Sequence, residues 1–154
     1  MKAVKFIISI VVPLAIGGVS GIATAGEING WYSSLNKPSF NPPNWLFGPV
    51  WTSLYLLMGI SLFLVWKETS SRQRNSALLI FCIQLLLNFL WSFLFFYFKN
   101  IGIALIEIFL LWILIILMIR SFYTVNKIAA LMNTPYLLWV TFASILNLAY
   151  FILN

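Results

Sequence analysis

The acid–base side chains of this chain are too few and too scattered for ordinary catalysis. Its 154 residues include no histidine and three acidic residues; with no aspartate in the chain, these are Glu27, Glu68 and Glu107. A Ser-His-Asp triad, a histidine-ligated haem and the usual zinc sets are therefore excluded. Three carboxylates on three separate segments do not make the close pair that glycoside hydrolysis needs. Cys82 is the single cysteine, so neither a disulfide framework nor a thiolate metal site can be assembled, and no metal centre is expected. What remains is rings and amides: 7 Trp, 6 Tyr and 14 Phe, with Asn and Gln set inside apolar runs, where a polar side chain needs a partner or a cavity. Such a set can stack on flat apolar molecules and offer amide and indole hydrogen bonds.

Spacing sharpens this. Gln84, Asn88 and Ser92 recur every four residues, with Trp91 and Phe95 on the flanks of the same helical stripe. Trp139, Ala143, Asn147 and Tyr150 fall at similar intervals, as do Trp51, Tyr55, Met58 and Leu62. Three helices that each present a face of rings and amides can line an internal pocket for a flat, largely apolar molecule. For any one residue, hydrogen bonding between helices is the competing reading. At a rise of about 1.5 Å per residue, Trp51, Trp91, Ser92 and Asn147 lie about 10 Å below one membrane boundary, Asn88 and Ala143 about 15 Å, and Trp139 about 20 Å, as a floor. The stretch WYSSLNKPSFNPPNWLFGPVW, residues 31–51, is the roof. Its prolines fix the backbone and remove donors that have no partner near lipid, its rings cover the mouth, and Pro42-Pro43 favours an extended turn.

The elements that must position these groups are membrane helices. The chain is 62% hydrophobic and 8% charged, with a mean hydropathy of +1.01. A span of the hydrocarbon core needs roughly 20 apolar residues, and five windows qualify: 5–25, 45–66, 76–98, 102–122 and 130–152. The fold class is all-α, a five-helix bundle forming a single transmembrane domain over residues 1–154, with a lid loop at 26–44. The first window ends in Ala23-Thr24-Ala25, which resembles a signal-peptide cleavage site, but it is longer than a secretory apolar core. It also carries Gly17, Gly21 and Ala25 at four-residue spacing, a helix-packing face and one candidate surface for a homodimer.

The net charge of +6 is spread over helix ends rather than gathered on a face, so no nucleic-acid partner is expected. Lys2, Lys5, Lys67, Arg72, Arg74, Arg120 and Lys127 fall on one side of the bundle and Lys37 and Lys99 on the other. That bias places the N-terminus in the cytoplasm and the C-terminus and lid outside a cell membrane. Glu107 is the one acidic residue within a span, about 8 Å from the external end of its helix, where it can reach headgroups or a partner helix. A carboxylate there is also the best support for a transporter.

The run from Trp31 to Tyr55, the NFLWSFLFF run from Asn88 to Phe96, and PYLLWVTFASILN from Pro135 to Asn147 together resemble the TspO family. These are the tryptophan-rich sensory proteins related to the mitochondrial translocator protein and the peripheral-type benzodiazepine receptors. Nearly the whole chain is covered, and its short length without a basic C-terminal tail resembles a bacterial member. The resemblance implies a five-helix bundle, commonly homodimeric, that binds porphyrins such as protoporphyrin IX and isoquinoline-type synthetic ligands without a covalently held cofactor. It further implies, for some bacterial members, light-driven breakdown of the bound porphyrin. By motif, the pocket positions fall on Tyr32, Pro42, Trp51, Asn88, Trp91, Trp139, Ala143 and Asn147, with Trp51 and Trp139 as the reactive pair. The cholesterol-recognition pattern of animal members is incomplete, since no Lys or Arg follows Leu148 and Tyr150. A porphyrin carrier and a tetrapyrrole sensor reporting through the loop KETSSRQR, Lys67 to Arg74, are the alternative functions.

Overall fold

Long apolar runs without enough polar residues to make a solvated face leave the backbone one way to satisfy its own hydrogen bonds in lipid, the α-helix. The computed structural model describes residues 2–154 and consists of helices joined by short loops. They are α1 (Lys2–Ile28), α2 (Trp31–Ser34), α3 (Asn44–Trp66), α4 (Arg72–Ser92), α5 (Ile101–Val125), α6 (Lys127–Leu131) and α7 (Thr134–Leu153). Five helical stretches, with α6 and α7 counted as one, are long and apolar enough to cross a membrane, as the five apolar windows require. The chain is thus a multi-pass membrane protein with an all-α fold.

The departures from the expected boundaries are local and have causes. The lid is not all loop, because residues 31–34 form the short α2 and only the prolines force extension; Pro43 has φ −63° and ψ 142°. The fifth window breaks between α6 and α7, where Asn126 Oδ1 accepts the Ala129 amide at 3.0 Å and caps α6. Asn133, fully buried, gives its Nδ2 to Ser61 Oγ at 2.6 Å and to the Ala129 carbonyl at 2.8 Å, closing the bundle at the end opposite the lid.

α4 ends in a π-helical turn, Phe93–Tyr97. The Phe98 amide reaches back five residues to the Phe93 carbonyl at 2.8 Å. This wider turn changes the helical register, and the neighbours Phe95 and Phe96 both become buried beside Tyr32. Lys99 follows with φ 55°, turning the chain so that Asn100 Oδ1 can accept the Ile103 amide at 2.9 Å and start α5.

α1 lies against α3, and the crossing is made by small residues. A Cβ on Gly59 would sit 2.7 Å from the Ser9 carbonyl oxygen and 3.0 Å from Ile10 Cα, so the two backbones are in direct contact. About two turns along α1 from that crossing, a Cβ on Gly17 would lie 2.4 Å from the Tyr55 ring. Within the Gly17/Gly21/Ala25 stripe, Gly17 packs inside the chain, while Gly21 and Ala25 line a cavity and are exposed.

Candidate binding cavity

The lid-side half of the bundle holds a cavity of about 600 Å³, within the usual range of small-molecule sites, roughly 300–1,000 Å³. Tyr32, Trp51, Asn88, Trp91, Trp139, Ala143 and Asn147 all line it. α3 adds Phe47 and Tyr55, α4 adds Ser92, and α7 adds Leu146 and Tyr150. No lysine, arginine or acidic side chain is among the lining residues, so the cavity suits an uncharged flat body.

Pro42 is the exception among the expected positions. It lies outside the lining and is half-buried, its carbonyl taking the Asn41 Nδ2 at 3.0 Å. The extended backbone that Pro42 and Pro43 enforce aims the neighbouring Asn41 inward instead, and Asn41 does the work. Its Oδ1 accepts from Tyr32 Oη at 3.0 Å, and Tyr150 Oη stands 2.8 Å from both groups. The lid is also tied to the end of α7, with the Asn36 amide on Asn154 Oδ1 at 2.8 Å and Asn36 Nδ2 on the Leu153 carbonyl at 3.1 Å. Burial pushes the Tyr32 hydroxyl above its ordinary range, partly offset by its bonds to Tyr150 and Asn41. It therefore keeps its proton, and the knot keeps its form, across the neutral range.

The floor is a polar network, and here the expectation for Trp139 needs correction. Its ring packs 6.1 Å from Phe47, in the first turn of α3, and 5.6 Å from Phe142, which makes it a side wall. The floor belongs to Tyr55, Asn88, Tyr136 and Gln84. Tyr55 Oη donates to Asn88 Oδ1, Asn88 Nδ2 donates to Tyr136 Oη at 3.0 Å, and Tyr136 donates to Gln84 Oε1 at 2.9 Å. Trp51 lies over this network, 5.6 Å from the Tyr55 ring and 6.3 Å from that of Tyr136. Gln84 is thus beneath the cavity rather than in its wall, and the Asn88 amide is already bonded on both sides. Tyr136 is the member of this network that the stripe reading missed, although it extends the Trp139–Ala143–Asn147 face by one turn and could have been found that way.

Tyr136→Phe removes one hydroxyl and leaves Asn88 Nδ2 and Gln84 Oε1 buried without it. An unsatisfied buried group costs about 1–3 kcal/mol, so the melting temperature in detergent should fall by several degrees. A melt unchanged from the parent would show the network to be dispensable.

Two kinds of tryptophan emerge. Trp91 Nε1 donates to Asn147 Oδ1 at 3.1 Å, while Asn147 Nδ2 holds the Ile101 carbonyl at 3.1 Å. Trp112 Nε1 donates to Thr141 Oγ1 at 2.8 Å. These indoles are structural ties. Trp51 makes no such bond, and the Trp139 N–H is sealed without a partner, so both rings stand in the wall uncommitted. Glu107 turns into the bundle rather than toward headgroups: it is 7% exposed, and neither carboxyl oxygen has a hydrogen-bond partner.

Comparison with known proteins agrees with this arrangement. The family model for the TspO/MBR family matches residues 9–153. The chain belongs to the TspO/MBR family. It is 45% identical to the tryptophan-rich protein TspO of Archaeoglobus fulgidus over 157 residues, covering 100% of this chain and 99% of that protein. Identity to the protein of the same name from Chlorobaculum tepidum is 43% over 145 residues, covering 92% and 90%. To the human translocator protein it is 38% over 124 residues, covering 79% and 73%.

Proposed function

We propose that this TspO-family protein binds a tetrapyrrole, with protoporphyrin IX as the type ligand, in the cavity beneath the lid, and that light drives oxidative breakdown of the bound pigment. The observation that carries the reading is the convergence of Trp51 and Trp139 on one charge-free cavity of about 600 Å³. A macrocycle is flat and apolar across its face and stacks on indole and phenol rings. Its carboxylates find no cation in the lining, so they stay at the lid-side rim, toward the headgroups, while the ring edge enters.

The protein contributes orientation and exclusion of water, and no side chain here acts as acid and base. The excited pigment and oxygen supply the oxidising chemistry, and the two uncommitted indoles are placed to give up electrons or to trap oxidised pigment. The cavity also fits isoquinoline-type ligands. Topology follows the charge bias, with the N-terminus cytoplasmic and the lid outside, and the protein functions as a homodimer in the cell membrane. The test is the absorbance of the protein-bound pigment under lamp light with oxygen present. Bleaching faster than for free pigment in the same micelles supports the reading, and equal rates reject the photochemical part of it.

A second reading, proton-coupled export of a lipophile, is favoured by Glu107 alone, a buried carboxyl without a partner in the membrane interior. On the tetrapyrrole-binding reading, Glu107→Gln leaves porphyrin movement in proteoliposomes unchanged. Uphill, pH-driven movement that this substitution abolishes would establish the carrier instead.

A further inference from the structure

The cavity is shut at its lid end and open at its side. At the lid end, Tyr32 and Tyr150 are 4% and 1% exposed, knotted through Asn41, and the loop is fastened to the end of α7 by Asn36 and Asn154. Between the lid-side halves of α1 and α3 the situation is reversed. Gly18, Gly21 and Ala25 of α1 and Trp45, Gly48 and Thr52 of α3 line the cavity and are at the same time exposed on the outside of the bundle. Small residues opposed in this way make the seam between α1 and α3 the thinnest part of the wall.

The glycines show how the seam is kept thin. A Cβ built on Gly18, Gly21 or Gly48 meets nothing within 4 Å, whereas one on Gly17 meets the Tyr55 ring and one on Gly59 meets the Ser9 backbone. The two helices therefore touch at Gly59 and Gly17 and leave a slot above, where small residues face each other without filling it. The slot opens among side chains such as Val19 and Ile22, 50% and 79% exposed, on helices long and apolar enough to span the membrane. Its surroundings are acyl chains rather than water.

We infer that the guest enters and leaves sideways, from the lid-side leaflet of the bilayer, through the slot between α1 and α3. The route rests on the tetrapyrrole-binding reading. A lipophilic macrocycle partitions into the bilayer, slides edge-on between Gly21 and Gly48, and comes to lie against Trp51 without the lid opening. Trp45, 72% exposed at the rim, offers the first ring for it to stack on. Bulk added at the slot raises the barrier for passage in both directions, so that both association and dissociation slow.

The test uses the full chain in lipid nanodiscs, with protoporphyrin IX followed by stopped-flow quenching of tryptophan fluorescence. The Gly21→Leu/Gly48→Leu protein, whose new side chains meet no neighbouring atoms at Cβ, should show association slowed at least tenfold and dissociation slowed as well, whereas leucines that merely crowd the bound pigment would speed dissociation. The single Gly21→Val change, a smaller addition, should slow both to a lesser degree and serves if the double variant does not fold. The Asn36→Ala/Asn154→Ala protein, which loses the side-chain bonds that tie Asn36 to the end of α7, should leave both rates unchanged. Unaltered rates in the glycine variants, a weaker Kd at an unchanged association rate, or faster association in the Asn36→Ala/Asn154→Ala protein would overturn the lateral route alone. Failure of the parent protein to bind at all would overturn the tetrapyrrole-binding reading and the route with it.

Discussion

Phenylalanine in place of Trp51 or Trp139 should slow light-driven bleaching of bound protoporphyrin IX at least tenfold while the dark Kd moves by less than about fivefold. The binding change is small because both residues keep a ring in the wall and neither gives up a hydrogen bond. Trp51 contributes stacking over Tyr55 and Tyr136, and Trp139 packs on Phe47 and Phe142 with its N–H unpartnered. Loss of one aromatic contact is worth about 0.5–1.5 kcal/mol, and each 1.4 kcal/mol is tenfold in affinity. The rate change is large because phenylalanine is a far poorer electron donor than indole. Trp91→Phe separates the two kinds of tryptophan. It breaks the bond to Asn147 and should lower the melting temperature, which the other two should leave nearly unchanged. Equal bleaching in the Trp51→Phe and Trp139→Phe proteins would remove the indoles from the chemistry while leaving the cavity as a binding site.

Gly59→Leu should prevent the bundle from assembling, or leave so little stability that the protein is lost on detergent extraction. The new Cβ alone would fall 2.7 Å from the Ser9 carbonyl oxygen and 3.0 Å from Ile10 Cα, and these are backbone atoms that cannot swing aside. The helices must part, and with them goes the contact that holds α1 as one wall of the cavity. Overpacking of a well-filled core costs about 1–3 kcal/mol when side chains can adjust, and a backbone-to-backbone crossing leaves them no such freedom. Gly48→Leu is the matched control, since a side chain there meets open space and should be tolerated. Yield and a monodisperse elution profile measure both. Recovery of the Gly59→Leu protein at parental yield would show that α1 is held by something other than this crossing.

The fold was legible because its signals are compositional. Five apolar runs of spanning length can be nothing but helices in lipid, and the α4 and α7 stripes appear as faces because the 3.6-residue period carries through them. What escaped was set by features with no periodic signature. The π-helical turn at Phe93–Tyr97 shifts the ring register locally, so Phe96 joins Phe95 in the core. Pro42 acts on the backbone and leaves the contact to Asn41, a distinction that a motif match cannot make. Trp139 was assigned the floor by counting residues from a helix end, which fixes the depth of a backbone position and not which neighbours its ring packs against, here Phe47 and Phe142. The contribution of α1 was obscured because glycine reads equally well as a packing residue or as the absence of a wall. Only the neighbours of Gly17 and Gly21 separate those meanings.

The central claim is that the charge-free space beneath the lid admits one flat macrocycle. The most direct measurement is a dark titration of the purified protein with protoporphyrin IX, read by the Soret band and by tryptophan quenching, alongside Ala143→Phe, which places a ring in the lining at α7. Saturation at one pigment per chain, with quenching complete at that ratio and affinity falling at least tenfold in Ala143→Phe, is the expected result. Non-saturating uptake that tracks detergent concentration, or equal affinity in both proteins, would contradict it.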